Sequence, residues 1–192
     1  MRPLIILLAA WPLLGAPAVL SPTEVAVVRL LNEARTSPAR FAQRYLASRA
    51  RQSRDAAECV REMSRTAPLP PFRVAGPLVS SALEHAGDLG ASGRTGHRGT
   101  DGSTLDDRIN RHAEWDGNIS ENLYYGPADA LEIVIELLID EAVPGRGHRR
   151  NILSAKMAAV GVAVRRHARY GSICVMDFAT SLRPRLQGRG GG

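Results

Sequence analysis

The sequence predicts an α+β protein in which most of the chain is helical and a β-hairpin completes the fold. One observation is a set of apolar residues that recur every three or four positions, before residue 90 and again over 128–141. A second is a pair of apolar, β-branched runs, 159–164 and 172–178, on either side of a polar segment that contains Gly171. This order of elements indicates helical layers packed against a small antiparallel sheet.

The length and the first residues predict one exported domain. A chain of 192 residues that is 44% hydrophobic can bury one sizeable core. Residues 1–18 contain a single charge, Arg2, followed by the apolar run 4–14 and the small residues 15–18. This is the pattern of a cleaved signal peptide. We therefore expect secretion to the extracellular space or the cell envelope.

The remaining chain divides into a domain, residues 19–182, and a basic, glycine-rich tail, residues 183–192. The tail is predicted to be disordered because almost none of it is apolar. No segment after the signal peptide reaches about 18 uninterrupted apolar residues, so no transmembrane segment is expected in the mature protein. We expect a monomer. The net charge of +6 comes from scattered arginines, so nucleic acid is not an expected partner.

The helical segments can be assigned in chain order. Ser21 can cap a first helix while Glu24 returns a bond to the cap nitrogen, and a break is expected at 36–38, where a proline follows Thr36 and Ser37. Residues 48–54 are predicted to form a loop. Further helices are predicted over 56–63, 77–89 and 128–141, the last of them substantially buried.

The glycine- and aspartate-rich segment 96–103 is too polar for the core and too long for a tight turn. It is expected to be a loop, ordered or flexible, and it carries His97. Asp101 and Ser103 are expected to stabilise turns beside the loop glycines through bonds to the backbone. The chain then ends in the hairpin of 159–164 and 172–178.

The two cysteines, Cys59 and Cys174, leave the question of a disulfide open. An oxidising compartment permits a bridge, but sequence separation does not show whether the two Cα atoms approach closely enough. There is no CxxC spacing, so a thiolate zinc site is not expected.

Three segments, in this order, resemble the CAP superfamily, the group of cysteine-rich secretory proteins, antigen 5 and pathogenesis-related 1 proteins. They are GHRGTDGS at 96–103, SENL at 120–123 and GHRRNIL at 147–153. With the final strands, the resemblance covers residues 23–181. It implies a three-layer α-β-α sandwich with a central cleft that carries two histidines and two acidic residues.

Carried over position by position, the resemblance places His97, Glu121 and His148 in this cleft. The fourth residue falls at Asp140 or Glu141, because the family's tryptophan on the preceding helix is missing. Glu141 is slightly favoured, since Leu138 can stand where the tryptophan would. In the bacterial pattern, a cysteine occupies the position of Val164, and its absence here leaves Cys174 without the cross-strand partner that the resemblance implies.

The resemblance implies an extracellular ligand-binding module for a small hydrophobic ligand, such as a lipid or sterol, or for a protein partner. His97 and His148 are the candidate ligands of a divalent metal such as zinc. The same groups can instead satisfy one another by hydrogen bonds without a metal. The alternative function is a metal-dependent hydrolase or peptidase, with Glu121 as the candidate general base.

The other histidines are not expected to belong to this cluster. His85 follows Glu84 in the order opposite to that of a metalloprotease helix. His112 and His167 are predicted to be exposed loop residues. No serine lies in a Gly-x-Ser-x-Gly context, which disfavours a nucleophile-elbow hydrolase.

Overall fold

The computed structural model describes residues 19–184, so the predicted signal peptide and residues 185–192 of the predicted tail lie outside the described residues. Seven α-helices and four strands are found in this part of the chain. The helices are α1 (Pro22–Thr36), α2 (Pro38–Phe41), α3 (Arg54–Met63), α4 (Gly76–Ser92), α5 (Leu105–Asn110), α6 (Ala130–Ile139) and α7 (Gly147–Ile152). The strands are β1 (Arg73–Val74), β2 (Ala113–Gly126), β3 (Ala159–His167) and β4 (Gly171–Pro184).

The four strands form one sheet in the order β1-β3-β4-β2. The predicted hairpin is the antiparallel pair of β3 and β4, in which Val162 lies opposite Met176. β2 is antiparallel to β4 and lies at one edge, whereas the short β1 is parallel to β3 at the other. The predicted α+β class is confirmed.

Helices cover both faces of the sheet and produce the three-layer sandwich that the resemblance implies. On one face, α1, α3 and α6 share a core with the strand residues Val162 and Met176. On the other face, α4 packs on Ala163 and Val175. Adjacent strand residues therefore contribute to different cores, as expected from the alternation of side chains along a strand.

The predicted start and break of the first helix are found. Ser21 accepts a bond from the Glu24 backbone at 3.3 Å, and its own N–H donates to the Glu24 side chain at 2.7 Å. This capping box begins α1, and Ser37 separates it from α2. Beyond α2 the chain continues as a π-helical turn, Ala42–Leu46, and a 3-10 turn, Arg49–Arg51, which lies within the predicted loop.

Gly161 of β3 permits the close approach of α4 to the sheet. A Cβ atom at this position would overlap the backbone of Leu78 and Val79, in the first turn of α4. The distance between helix and sheet therefore requires glycine here, and α4 carries two residues of the site described below.

One major element was not predicted from the sequence, the fourteen-residue strand β2. Its buried positions include the polar residues Glu121 and Asn122, and the register with β4 shifts between Asp116 and Ile119. Both features interrupt the apolar alternation by which a strand is usually detected. Pairing with β4 therefore forms a strand that local pattern did not predict.

The last residues that the structure describes also differ from expectation. β4 continues through Arg183 and Pro184, which pair with Glu114 and Ala113 of β2. These two residues were assigned to the predicted disordered tail, whereas the structure places both of them in a paired strand.

Both cysteines are free thiols in the core. Cys59 of α3 donates a bond to the Leu138 carbonyl at 3.2 Å, and Cys174 lies in β4. Burial raises the pKa of the Cys59 thiol to about 11 and also raises that of Cys174. The two residues are therefore packed as small apolar side chains and are not poised as nucleophiles.

No helix within residues 19–184 is both long enough and apolar enough to cross a membrane.

Candidate functional site: two histidine–carboxylate pairs at the β2 edge

Glu121 of β2 is the centre of the first pair. Its Oε1 accepts a bond from His97 Nδ1 at 2.8 Å, and its Oε2 accepts one from Arg108 Nη2 at 2.6 Å. Only 2% of the Glu121 side chain is exposed, whereas 61% of the His97 side chain is. The carboxylate is thus buried, and each of its two oxygens accepts a hydrogen bond. The histidine is its exposed partner.

Arg108 of α5 also fixes the loop that carries His97. Its Nη1 donates to the carbonyls of His97 at 3.3 Å and Ser103 at 3.2 Å. Within the loop, Asp101 accepts from the Ser103 backbone at 2.8 Å, as predicted for a turn residue. The segment 96–103 is therefore an ordered loop, held by an arginine that sequence analysis did not single out.

His85 of α4 lies behind the first pair, although it was not predicted to belong to this cluster. Its Nε2 is 3.0 Å from the Gly96 carbonyl, to which it donates, and 3.9 Å from Glu121 Oε1. Burial lowers the pKa of His85, so the ring is neutral at physiological pH. With the proton on Nε2, the remaining nitrogen Nδ1 is an acceptor.

Asp177 of β4 is another buried group beside Glu121. It lies directly opposite Glu121 in the sheet, so the two side chains share a face, and it accepts a bond from the Ser81 hydroxyl at 2.6 Å. Complete burial and the charge of Glu121 raise the pKa of Asp177 well above its ordinary range. Burial alone would also raise the pKa of Glu121, but the His97 bond and the Arg108 charge hold it below its usual value.

Asp177→Asn is expected to flatten the pH dependence of stability. The raised pKa means that folded Asp177 holds a proton which the unfolded chain releases above its ordinary value of 3.8. Stability therefore falls as the pH rises from 3.8 towards the raised pKa of Asp177 in the folded protein. Asparagine cannot ionise, so the substitution removes this loss. Urea unfolding at several pH values measures the slope, with the exposed Asp116→Asn as control. Equal slopes in the wild type and Asp177→Asn would contradict the assignment.

Asp140 is the centre of the second pair. Its Oδ1 accepts from His148 Nδ1 at 2.7 Å, and its Oδ2 accepts from the His148 backbone N–H at 2.9 Å. Glu141, which the sequence slightly favoured, is exposed and accepts a bond from Ser53 at 2.9 Å. Of the two candidate acids, Asp140 is therefore the partner of His148.

The end of α6 explains this choice. Asp140 adopts the left-handed conformation, with φ 55° and ψ 49°, directly after Ile139 ends the helix. The chain leaves the helix at this point, so the helical spacing from Leu138 no longer determines where the Glu141 side chain lies. Arg149 of α7 donates to the carbonyls of Leu138 at 2.6 Å and Ile139 at 2.9 Å, and thereby holds α7 against the end of α6.

The two pairs approach the edge strand β2 from its opposite faces. Glu121 faces α4, and its neighbour Asn122 faces the other layer, where it donates to the His148 carbonyl at 3.1 Å. Asn151 of α7 donates in turn to Asn122 at 2.8 Å. Two consecutive residues of β2 thus anchor the two histidine-bearing segments.

The histidines are the accessible members of the pairs. The His148 side chain is 26% exposed and that of Asp140 is 1% exposed. Both rings bond a carboxylate through Nδ1, and within residues 19–184 Nε2 of His97 and His148 has no hydrogen-bond partner. This tautomer is the one that carboxylates impose on metal-binding histidines. However, no group of three or more His, Cys, Asp or Glu side chains in the described chain is arranged to hold one metal ion.

One of the two histidines predicted to be exposed is buried. His167 is 1% exposed, lies at the end of β3 and donates from Nε2 to the Arg94 carbonyl at 2.9 Å. Its Nδ1 accepts from the backbone of Arg169 and Tyr170, so it is a structural residue of the hairpin turn. His112 is partly exposed and pairs with Glu84 at 2.6 Å.

Residues 28–178 match the family model of CAP, described as the cysteine-rich secretory protein family. No curated protein matches the chain significantly in sequence.

Three solved structures are similar. An extracellular protein containing an SCP domain from Bacillus anthracis is 22% identical, with 58% of this chain and 34% of that chain covered and a TM-score of 0.49. A cysteine-rich secretory protein from Staphylococcus aureus is 13% identical, with 83% and 38% covered and a TM-score of 0.51. An outer surface protein from Borrelia burgdorferi is 20% identical, with 61% and 80% covered and a TM-score of 0.50.

The aligned part amounts to about a third of the Bacillus protein and somewhat more of the Staphylococcus protein, at 34% and 38% of their lengths. At these identities the likeness concerns the fold.

Proposed function

Since this chain belongs to the CAP family of cysteine-rich secretory proteins, we propose that it is an extracellular binding module whose cleft is formed around His97 and His148. The cleft would take a small hydrophobic ligand, such as a lipid or sterol, or a segment of a protein partner. Export is supported by the signal-peptide pattern of residues 1–18, and one of the similar structures is of a protein described as an outer surface protein. The ligand classes come from the family resemblance.

The proposal rests on one observation: in each pair the carboxylate is occupied by bonds within the protein, whereas the histidine keeps a free ring nitrogen. All four carboxylate oxygens of Glu121 and Asp140 already accept a bond at 2.6 to 2.9 Å from a protein donor. The groups that remain for a ligand are the two imidazole Nε2 atoms, on rings whose orientation the buried acids hold. Such a site recognises a polar group and has no activated nucleophile.

The donor set would suit a divalent ion only through His97 and His148. Two neutral imidazole nitrogens are chemically suited to zinc, and Glu121 and Asp140 would then act as the outer carboxylates that orient them. A bound ion would supply a Lewis-acidic anchor for the polar end of a ligand. With two protein ligands, the affinity should be modest compared with that of a closed structural site.

The hydrolase alternative has less support. A general base works best when its pKa lies near the operating pH, whereas the pKa of Glu121 is lowered below its ordinary value. Arg108 and His97 already occupy its oxygens. Glu121 is therefore suited to orienting His97 and poorly suited to removing a proton from water.

Zinc titration of the metal-stripped protein tests the site. The His97→Ala/His148→Ala variant is expected to bind zinc at least about 100-fold more weakly than the wild type, because both available nitrogens are removed. Calorimetry measures the affinity, and circular dichroism checks the fold. Equal affinity in the two proteins would contradict metal binding at this cleft.

The same preparations test the ligand. A fluorescent fatty acid and a fluorescent sterol are expected to bind the wild type and to lose affinity in the double histidine variant. Asp140→Asn should weaken binding because it removes the charge that orients His148, whereas Glu141→Gln should not. Turnover of a peptide or ester library by the wild type, abolished in Glu121→Gln, would instead favour the hydrolase.

A further inference from the structure

The outer edge of β2 is open over part of its length. In the sheet formed by residues 19–184, β2 is an edge strand and pairs only with β4. Its regular pairing extends over residues 119–126, beyond the register shift that follows Asp116. Alternate residues of an antiparallel strand direct their backbone groups to opposite sides, so every second residue in this stretch points its N–H and C=O away from β4.

The residues that point outward include Glu121 and Leu123. In β3, the Val160 carbonyl accepts a bond at 3.0 Å from the residue after β1, and it therefore points away from β4. By alternation, the backbone of Gly161 points towards Asp177 of β4, its partner in the register. Asp177 thus bonds β3, so Glu121, which lies opposite Asp177 in β2, faces outward. Two residues further on, Leu123 has the same orientation.

These outward groups lack a partner in the protein and are accessible. Within residues 19–184, no donor or acceptor outside the sheet bonds the backbone of Glu121 or Leu123. The exposed surface of Glu121 lies mostly on its backbone, since 7% of the whole residue but only 2% of its side chain is exposed. Backbone polar groups in such partly covered positions are nearly always bonded, so a partner from outside the chain is expected here.

The opposite edge of the sheet is protected. Beyond the short β1, the Val164 N–H of β3 donates to Glu24 Oε1 at 2.8 Å, and the Val164 carbonyl accepts from Arg165 at 2.7 Å. Charged side chains commonly shield free edges, because an unpaired edge binds other strands. In the described chain, no side chain caps the β2 edge in this way between residues 119 and 125. This edge is therefore the one that remains available to a further strand.

The open stretch lies between the two histidine-bearing segments. His97 bonds the Glu121 side chain on one face of β2, whereas Asn122 holds the His148 segment on the other face. A chain laid along the edge would run between these segments, with alternate side chains towards each of them. A peptide backbone carries donors and acceptors at the spacing of the edge, whereas the single polar end of a lipid leaves most of them unpaired.

We propose that the protein partner of the His97/His148 cleft binds as an extended segment, which adds a strand to the open edge of β2. The backbone of the segment pairs with the N–H and C=O groups of Glu121 and Leu123. The regular part of the edge, residues 119–125, accommodates about seven residues of the partner. This rests on the function proposed above, because it specifies how one of the ligand classes named there is bound.

Amide hydrogen exchange in the intact protein tests the pairing. A displayed library of random heptapeptides is selected on the protein, and the most enriched peptide is synthesised as the probe. This peptide is expected to slow exchange of the Glu121 and Leu123 amides at least about tenfold. The Asn122 and Val164 amides are controls that should not change, since each already has a partner within the protein. A bound peptide that leaves Glu121 and Leu123 unprotected would overturn the proposal.

Two N-methylated versions of the peptide provide a matched pair. One is methylated at three alternate amides, the other at the three amides between them. Only one of these sets faces β2 in a paired strand. One version is therefore expected to lose at least about 100-fold in affinity, equivalent to about three hydrogen bonds, while the other binds like the unmodified peptide. Similar losses in both versions, or none in either, would contradict strand addition.

The His97→Ala/His148→Ala variant distinguishes this proposal from the proposed function. If the variant loses the peptide but the two methylated versions behave alike, the cleft is supported and strand addition is overturned. If the fluorescent fatty acid or sterol binds and no peptide is enriched, the binding function stands without strand addition. If no probe of either kind binds, both proposals fail. Concentration-dependent protection of Glu121 and Leu123 in the protein alone would overturn a foreign partner in favour of a second copy of this chain.

Discussion

Arg108→Ala is expected to destabilise the protein by about 3–5 kcal/mol, the loss typical of removing one partner of a buried ion pair. Arg108 is 1% exposed and balances Glu121, beside the buried Asp177. Its removal leaves a buried carboxylate without a counter-charge and frees the loop that carries His97. Urea unfolding monitored by circular dichroism measures the change in the free energy of unfolding.

Arg111→Ala is the matched control, three residues further along the chain. Arg111 pairs with Glu84 and Asp101, but 45% of its side chain is exposed. Exposed pairs contribute about 0–1 kcal/mol, so this variant should be close to the wild type. A similar loss of stability in both variants would mean that burial of Arg108 does not control its contribution.

Gly161→Ala is expected to cost about 3 kcal/mol, towards the upper end of the range for overpacking a core. The new methyl group would overlap the backbone of Leu78 and Val79, and backbone cannot move aside as a flexible side chain can. Relief requires α4 to shift on the sheet, which also displaces Ser81 and His85. Thermal and urea unfolding measure the effect.

Gly87→Ala, a substitution in α4 itself, is expected to have the opposite effect on stability. A Cβ at Gly87 would meet no atom within 4 Å, and the residue lies on the exposed face of α4. Alanine should therefore stabilise the helix by about 0.5–1 kcal/mol. If both alanine variants lost stability equally, close helix–sheet contact at Gly161 would not be the cause.

The site has an inner and an outer layer. Arg108, Asp177 and His85 surround Glu121 in the interior and bond it, the loop or α4. His97 and His148 form the outer layer, and each is oriented by one buried carboxylate. Substitutions in the inner layer should therefore reduce stability first, whereas substitutions of the histidines should affect ligand or metal affinity with little loss of fold.

Elements with a strong local signal could be predicted from the sequence. The capping box of Ser21 and Glu24, the break at Ser37 and the hairpin around Gly171 were all predicted, because each depends on neighbouring residues. β2 was not predicted, since its buried positions include Glu121 and Asn122 and their partners come from distant segments. The roles of His85 and Arg108 were missed for the same reason.

The sequence by itself determined the family, the α+β class and the three motif segments that carry His97, Glu121 and His148, because ordered motifs and periodic apolar positions are properties of the chain alone. Only the tertiary structure decided that Asp140 is the partner of His148. A left-handed residue at the end of α6 takes the chain out of helical geometry, so spacing along the sequence no longer indicates which acid meets the histidine.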